Sequence, residues 1–255
     1  MANEPARPAA RGARRRPDAV FASETYGARL ASELGARFRP VDPARQVVPV
    51  SASAIRADPL SHFAFLPAPV RAHFVRRVSV FGPESTGKST LAARLARHFG
   101  TIFVPEYART YIESCGGDID PTDLPAIAAG QIATEEVLAR RANRVLICDT
   151  DPLATPIWSE ALFGVPMPEL AAQAEGRPYH LTLLCDADVP WVPDAARYLP
   201  SEGEAFLARC RAALERARRR TVVVSGSWEQ REATAVASVE ALLRESTALP
   251  PWPPR

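Results

Sequence analysis

The stretch Gly82-Pro83-Glu84-Ser85-Thr86-Gly87-Lys88-Ser89 fits the pattern G-x-x-x-x-G-K-[ST] of a phosphate-binding loop, the P-loop. Residues 77–81 before it form a short apolar run that predicts a strand. Apolar residues recur behind it at helical spacing, at Leu91, Ala92, Leu95, Ala96 and Phe99. In this context the glycines let backbone N–H groups turn toward an anion, and the helix N-terminus adds positive potential. The sequence therefore predicts a nucleotide site, against the alternative of a chance match in a turn.

Each polar residue of this loop has an expected role. We expect Lys88 to reach the β- and γ-phosphates of ATP and the Ser89 hydroxyl to bind Mg²⁺. The expected cofactors are thus ATP and Mg²⁺. The residues expected to bind ATP in this region are Gly82, Glu84, Ser85, Thr86, Gly87, Lys88, Ser89 and Thr90.

Apolar runs of strand length alternate with segments of helical spacing from residue 78 onward. The predicted strands are 78–81, 101–104, 145–148, 181–185 and 221–225. The predicted helices are 90–98, 124–143, 154–162, 202–218 and 229–244. Nearly continuous apolar strands are typical of a parallel sheet that helices cover on both faces. Ligands bind such sheets at the carboxyl ends of the strands.

Three carboxylates fall at or just beyond those strand ends. Asp149 directly follows an apolar run, which is the usual place for a group that meets Mg²⁺, and Asp151 is two residues further on. Either aspartate is alternatively a helix cap. Glu106 follows the second strand and is a candidate for accepting a proton from an attacking hydroxyl or for binding a ribose hydroxyl. The base remains open among Glu106, Asp149 and Asp151.

Three further side chains are candidates for the acceptor or the transferred phosphoryl group. Arg109 is expected to neutralise phosphate charge, with an ion pair to Glu113 as the alternative. Arg197 lies between a strand and a helix, where a segment can close over the phosphoryl group; the alternative is a plain surface loop. Trp191, just before it, is a stacking face or a packing residue.

Composition restricts the class of protein. The chain has 255 residues, 47% of them hydrophobic, and a net charge of +2, which argues against nucleic-acid or membrane partners. Its four cysteines are scattered without a C-x-x-C pair, so neither zinc nor a disulfide framework is predicted. We find no signal peptide and expect a cytoplasmic protein. The arginines at 216–220 are expected to be a solvated helix end.

The termini and the first segment have different patterns. Residues 1–17 predict a disordered tail rich in Ala, Pro and Arg, and residues 246–255 a Pro-rich tail. Between the first tail and residue 73 we predict a strand at 19–22, a helix at 26–34 and a strand at 38–41. This segment is too short for an independent α/β domain.

Two sets of residues resemble one family. The P-loop together with residues 106–109, 148–151, 189–192 and 226–228 resembles the ribosylnicotinamide kinase domain of the bacterial NadR proteins. Residues 20–27, 41–45 and 50–56 resemble the C-terminal half of the nicotinamide mononucleotide adenylyltransferase domain that precedes that kinase. The implied fold is a three-layer α/β/α P-loop kinase at 74–245 with a parallel sheet, preceded at 18–73 by a partial Rossmann-like nucleotidyltransferase segment.

The resemblance implies phosphorylation of nicotinamide riboside in NAD salvage, with Lys88, Asp149, Glu106 and Arg197 as catalytic residues. The implied substrate residues are Tyr107, Arg109, Asp151 and Trp191. In P-loop kinases the turn after the last strand often lies against the adenine, so Trp228 and Arg231 are expected to contact ATP.

Departures from the family pattern leave alternatives open. The chain contains no G-x-F-x-P-x-H-x-G-H segment, so we expect adenylyl transfer to be absent, and Pro105 stands where some relatives carry an aromatic residue. The alternatives are a P-loop ATPase, a kinase of another nucleoside, and a regulatory module that senses nucleotides. A homo-oligomer is possible.

Overall fold

The computed structural model describes residues 16–189 and 202–249 of the chain. The chain separates into two compact units, residues 1–52 and residues 53–255. Two of the expected site residues, Trp191 and Arg197, lie outside the described residues. Along the described ranges, no helix is long and apolar enough to cross a lipid bilayer.

The first unit contains a strand–helix–strand arrangement. Strands β1 (Ala19–Ala22) and β2 (Arg37–Pro40) pair in parallel, and helix α1 (Tyr26–Leu34) connects them. A Cβ added to Gly27 would lie 2.5 Å from the Phe38 ring, so the helix backbone packs directly on the strands. The helix ends at Gly35 in the left-handed conformation, with φ +69°. The strand and helix predicted at 19–22 and 26–34 are observed.

The second unit is built on one parallel sheet. Its strands run in the spatial order β4-β5-β3-β6-β7, and every pair of neighbours is parallel. The strands are β3 (Arg76–Phe81), β4 (Phe103–Val104), β5 (Val145–Asp149), β6 (Leu181–Cys185) and β7 (Thr221–Val224). Strand β3, which leads into the P-loop, is central and lies between β5 and β6. The predicted parallel α/β fold is confirmed.

Helices cover both faces of this sheet. The helices that follow α1 along the described chain are α2 (Ala52–Ala57), α3 (Ala68–Phe74), α4 (Lys88–His98), α5 (Tyr107–Ser114), α6 (Leu124–Ala139), α7 (Ala154–Phe163), α8 (Pro168–Glu175), α9 (Gly203–Arg216) and α10 (Trp228–Arg244), with a 3-10 helix at Phe63–Phe65. Buried residues of α4 and α10 pack on one side with β3 and β6. Buried residues of α7 and α9 form a second cluster with Phe81 and Leu184.

A third apolar cluster involves the segment before the P-loop. Leu60, Phe63 and Leu66 are buried with Val104 and Leu146 of the sheet. Residues 53–73, which we assigned from the sequence to the nucleotidyltransferase-like segment, therefore pack within the second unit. The family origin of this segment remains a proposal, since packing alone does not determine it.

Some boundaries and one charged run differ from expectation. Helix α6 ends at Ala139, not 143, because the chain reaches β5 through Arg144, whose φ of +61° is left-handed. The expectation that the arginines at 216–220 form a solvated helix end is wrong for Arg219. Its guanidinium donates to the carbonyls of Arg177 and Ala174, at 2.6 and 2.9 Å, and lies 4.5 Å from the centre of the Tyr179 ring.

Candidate active site

Two glycines of the P-loop occupy positions that a side chain cannot share. Gly82, directly after β3, has φ +133°, and a Cβ there would lie 2.7 Å from the carbonyl oxygen of Cys185 on β6. Gly87 has φ +81°, and a Cβ there would overlap the ring of Trp228. Positive φ and close approach both favour glycine. The loop therefore lies tightly between β6 and the start of α10, with its backbone free to face a ligand.

A Gly82→Ala variant tests this packing against conformational strain. We expect it to lower the free energy of unfolding by about 3 kcal/mol or more, because its Cβ meets backbone that cannot rotate away. Gly100→Ala is the matched control: Gly100 also has positive φ, but nothing lies within 4 Å of an added Cβ. It should cost only about 1 kcal/mol. If urea titrations gave equal losses of unfolding free energy for Gly82→Ala and Gly100→Ala, the close approach of Gly82 to the Cys185 carbonyl would be contradicted.

Lys88 begins α4 and lies over the loop. Its Nζ donates to the carbonyl of Pro83 at 2.7 Å, and the buried Thr86 hydroxyl donates to the same oxygen at 2.8 Å. Glu84 and Ser85 are half-buried in the loop, whereas Ser89 and Thr90 are exposed on the first turn of α4. Lys88 is the only lysine of the sequence. The structure thus places an ammonium group, a hydroxyl group and a helix N-terminus at one point.

Asp149 ends β5 beside the P-loop and is 2% exposed. Burial, with the nearby Glu106 charge second, raises its pKa to about 6, while a hydrogen bond to Ser89 and the charges of Lys88 and Arg109 oppose that shift. Its Oδ1 has no hydrogen-bond partner. Asp149 and Ser89 therefore present oxygen atoms to the same place, which is the donor chemistry that Mg²⁺ prefers.

The chain turns sharply after Asp149. Thr150 has φ +68°, which is uncommon for a β-branched residue, and its backbone N–H donates to the carbonyl of Val80 at 2.9 Å. The turn carries Asp151 into the interior, where its Oδ1 accepts from the Leu153 N–H at 2.8 Å. Burial raises the pKa of Asp151. Local strain of this kind is concentrated at functional sites.

A pocket lies beside these residues, between α5, α6 and α7. Glu106 and Arg109, both expected from the sequence, line it together with Asp151. The other lining residues are Ala108, Ile112, Ile119, Leu124, Ile127, Gln131, Thr150, Ala154, Thr155, Trp158 and Leu162. Apolar walls with a few polar groups are typical of a small-molecule site.

Sequence reasoning missed most of this lining. The spacing of Leu124, Ile127 and Gln131 on α6 was a usable signal, because i, i+3 and i+7 share one helix face. Tyr107, expected to bind substrate, packs its ring over Gly130 of α6, where an added Cβ would overlap it. Its backbone N–H donates to Gln131 Oε1 at 2.9 Å. Tyr107 thereby joins α5 to α6 at the edge of the pocket.

The turn after β7 is attached to the P-loop through Arg231. This side chain, 1% exposed, donates to the carbonyls of Gly226, Thr86 and Asp186, at 2.9, 3.4 and 3.3 Å. It also forms an ion pair with Asp188. Its contacts are with protein groups, so its geometry suits a support of the nucleotide site more than the direct contact with ATP that we expected.

The first turn of α10 is fixed by its own cap. The Ser227 hydroxyl accepts from the Gln230 N–H, and the Gln230 side chain accepts from the Ser227 N–H, which is a complete capping box. Trp228 lies against Gly87, and the Arg94 guanidinium is 5.6 Å from the centre of its ring. Trp228 is therefore a rigid aromatic surface beside the P-loop.

A strand–P-loop–helix unit and a buried acidic strand end meet at the carboxyl edge of a parallel sheet, which defines a P-loop nucleotide-binding protein. Residues 77–231 match the family model of the AAA domain, which is more than half of the chain. The chain belongs to the AAA-domain family of P-loop proteins and is NadR-like.

One similar protein supports this assignment, and two similar structures support the fold. The chain is 34% identical over 190 residues to the trifunctional NAD biosynthesis/regulator protein NadR of Escherichia coli (strain K12), and the match covers 72% of this chain and 46% of that protein. The chain thus spans about half the length of that curated relative. A crystal structure of a NadR protein in complex with NR superposes with a TM-score of 0.70 at 22% identity, over 89% of this chain and 68% of that one. A second crystal structure of a NadR protein, in complex with NAD and AMP-PNP, superposes with a TM-score of 0.68 at 22% identity, over 87% of this chain and 65% of that one.

Proposed function

We propose that this protein is an ATP-dependent kinase that transfers the γ-phosphoryl group to a hydroxyl of nicotinamide riboside, forming nicotinamide mononucleotide and ADP. The observation that carries the proposal is the juxtaposition of a P-loop with a separate pocket. Lys88 belongs to the P-loop, Asp149 ends β5 beside it, and Glu106 and Arg109 line the pocket. A kinase needs a phosphoryl donor site and an acceptor site side by side at one edge of the sheet.

The residues of the loop supply charge and orientation to the donor. In this mechanism the backbone N–H groups of 82–89 and the N-terminus of α4 bind the phosphate oxygens. Lys88 exchanges its bond to the Pro83 carbonyl for the β- and γ-phosphates, and stabilises the charge on the transferring oxygens. Arg109 at the pocket side neutralises charge between the two substrates. Phosphoryl transfer depends mainly on such positioning and electrostatics.

Ser89 and Asp149 fit a bound Mg²⁺, because the one offers a hydroxyl and the other a buried carboxylate oxygen without a hydrogen-bond partner. When bound, Mg²⁺ would neutralise charge on the β- and γ-phosphates. The Ser89 hydroxyl lies near enough to Asp149 to lower the pKa of that carboxyl group, so both residues are placed to contact the same ion. Burial of Asp149 excludes water from that side of the site.

For the base we favour Glu106 among the three carboxylates. It lines the acceptor pocket at the N-terminus of α5 and is close enough to Asp149 to raise the pKa of that residue. Asp149, 2% exposed, is assigned with Ser89 to the metal ion, and Asp151 is 1% exposed with its Oδ1 held by the Leu153 N–H, whereas Glu106 is only half-buried. Glu106 is therefore the carboxylate best placed to accept a proton from an acceptor hydroxyl.

The relatives support the choice of acceptor. The curated relative is named for NAD biosynthesis, and one similar structure is described as a complex with NR. Identity of 34% over most of this chain makes a shared reaction a reasonable proposal. The acceptor pocket agrees with it, because the Trp158 ring and apolar side chains can contact a flat heterocycle while polar groups bind a sugar.

The test is a mass-resolved assay with ATP, Mg²⁺ and nicotinamide riboside. We expect nicotinamide mononucleotide and ADP in equal amounts, and no NAD. ATP hydrolysis that is independent of the riboside would support a P-loop ATPase, and product with another nucleoside alone would change the substrate. Nucleotide binding without turnover would support a sensing module. Each of these three results would overturn the proposal, and NAD formation would contradict the expected absence of adenylyl transfer.

A further inference from the structure

Gln131 has a buried donor without a partner at the acceptor pocket. The side chain projects from the middle of α6 and is 3% exposed. Its Oε1 accepts from the Tyr107 N–H at 2.9 Å, and this bond fixes the orientation of the amide. Its Nε2 has no hydrogen-bond partner. Gln131 therefore has unpaired N–H groups beside the pocket that it lines.

Asp151 offers the complementary group in the same pocket. It is 1% exposed, its Oδ1 accepts from the Leu153 N–H, and its Oδ2 has no hydrogen-bond partner. Ser79 lies near enough to influence the pKa of Asp151, but the Ser79 hydroxyl also has no partner at hydrogen-bonding geometry. Asp151 Oδ2 is thus an acceptor that the protein leaves unsatisfied at the pocket wall.

Unsatisfied atoms of this kind are rare because they are costly. A buried polar group without a partner destabilises a protein by about 1–3 kcal/mol, and folded proteins contain only a few. Two of them, one a donor and one an acceptor, belong to residues that line one small-molecule pocket. A ligand that satisfies both must accept a hydrogen bond from Gln131 and donate one to Asp151. A carboxylate cannot donate, and it would also meet the buried Asp151 carboxyl group.

We propose that Gln131 and Asp151 determine acceptor specificity by binding a neutral group that both accepts and donates hydrogen bonds. The inference rests on the proposed kinase function and identifies a part of the acceptor that this site recognises. In nicotinamide riboside, two sources have this chemistry: the carboxamide of the base and the hydroxyls of the sugar. A site built around such bonds rejects an analogue that lacks the group, because its own buried atoms are then left unpaired.

The decisive variant is Gln131→Glu. It keeps Oε1 for the Tyr107 N–H and replaces only the donor, whereas Gln131→Leu would lose both bonds. We expect the KM for nicotinamide riboside to rise about 10- to 100-fold, with the KM for ATP little changed. The melting temperature should fall, because the new carboxyl group is buried in the same pocket as Asp151. Gln173→Glu is the matched control, since it makes the same chemical change on an exposed turn of α8.

Analogues identify the group. Nicotinic acid riboside replaces the carboxamide with a carboxylate, and the 2′-deoxy and 3′-deoxy forms of nicotinamide riboside each remove one hydroxyl. The analogue that lacks the group bound by Gln131 should have a kcat/KM with the wild-type protein at least about tenfold below that of nicotinamide riboside. With Gln131→Glu the same analogue should show little further loss, because this variant already lacks the amide donor. Asp151→Asn, which keeps an acceptor for Leu153, should show the same loss of discrimination.

The outcomes separate this inference from the proposed function. If the wild type phosphorylates nicotinamide riboside but Gln131→Glu has an unchanged KM for it, the inference fails alone. The inference would also be overturned if the effects of Gln131→Glu and of the analogue on kcat/KM were additive for all three analogues. That result would assign the two buried atoms to trapped water. If the wild type neither phosphorylates the riboside nor gains thermal stability from it in the presence of a non-hydrolysable ATP analogue, both proposals fail.

Discussion

Lys88→Ala is expected to reduce turnover about 100- to 1,000-fold while the protein stays folded. The ammonium group lies over the P-loop, where it contacts the Pro83 carbonyl, and its role in the mechanism is to stabilise charge that develops on the transferring oxygens. Removing one such preorganised donor has an effect of this size in other enzymes. The fold should tolerate the change, because the side chain is at the first position of α4 and alanine is a good helix former.

Arg97→Ala is the control for charge. It removes one positive charge from the exposed C-terminal turn of the same helix, and its turnover should match that of the wild type. The measurement is the initial rate of ADP and nicotinamide mononucleotide formation at saturating ATP, with thermal unfolding followed in parallel. Near-normal turnover by folded Lys88→Ala would contradict the mechanism.

The composition of the chain permits a direct test of where ATP binds. Because Lys88 is the only lysine in the sequence, reductive methylation should modify Lys88 and the N-terminal amine alone. We expect ATP with Mg²⁺ to slow the modification of Lys88 and to leave that of the N-terminal amine unchanged. Equal modification of Lys88 with and without ATP would place the nucleotide away from the loop.

The fold and the donor half of the site were predictable because they depend on local patterns. Each strand of a covered parallel sheet is a short apolar run, and each site residue at the end of a strand follows such a run directly. Asp149 and the P-loop were located in this way, and the structure brings them together at neighbouring strands. The strand–loop–helix context made the motif specific, since the glycine positions are needed for backbone geometry.

The acceptor half was less predictable because contacts between distant segments form it. Residues of α5, α6 and α7 line the pocket, and α5 has only eight residues, too few for a clear helical period. The spacing of Gln131 with Leu124 and Ile127 indicates a shared helix face, but not its bond to Tyr107, which is 24 positions away. The predicted contact of Arg231 with ATP remains a prediction, although each of its guanidinium nitrogens donates to a protein group.

Arg231→Met is expected to lower the free energy of unfolding by about 3 kcal/mol or more. Methionine preserves much of the aliphatic volume of the side chain, but three carbonyl oxygens and the Asp188 carboxylate lose their common donor. The Asp188 side chain is 36% exposed, so most of the loss is expected from the carbonyls of Gly226, Thr86 and Asp186, which lose a charged donor. The loss is expected to be large because Arg231 joins α10 to both the P-loop and the end of β6.

The same variant should weaken ATP binding. The guanidinium holds the carbonyl of Thr86, one residue before Gly87, so its removal releases the backbone that binds the phosphates. Arg244→Met is the matched control on the same helix: Arg244 is largely exposed and pairs with Glu240 four residues earlier, so its loss should cost no more than about 0.5 kcal/mol. Urea unfolding and calorimetric titration with an ATP analogue measure the two effects.

Asp188→Asn provides a milder change if Arg231→Met does not fold. The Asp188 carboxylate accepts from both the Arg231 guanidinium and the Gly226 N–H, and an asparagine can keep one of these bonds. We therefore expect a smaller loss of stability in the same direction, with weaker ATP binding, because the turn at Gly226 loosens as the charge is removed. Unchanged ATP affinity in a destabilised Asp188→Asn variant would mean that Arg231 stabilises the fold without supporting the nucleotide site.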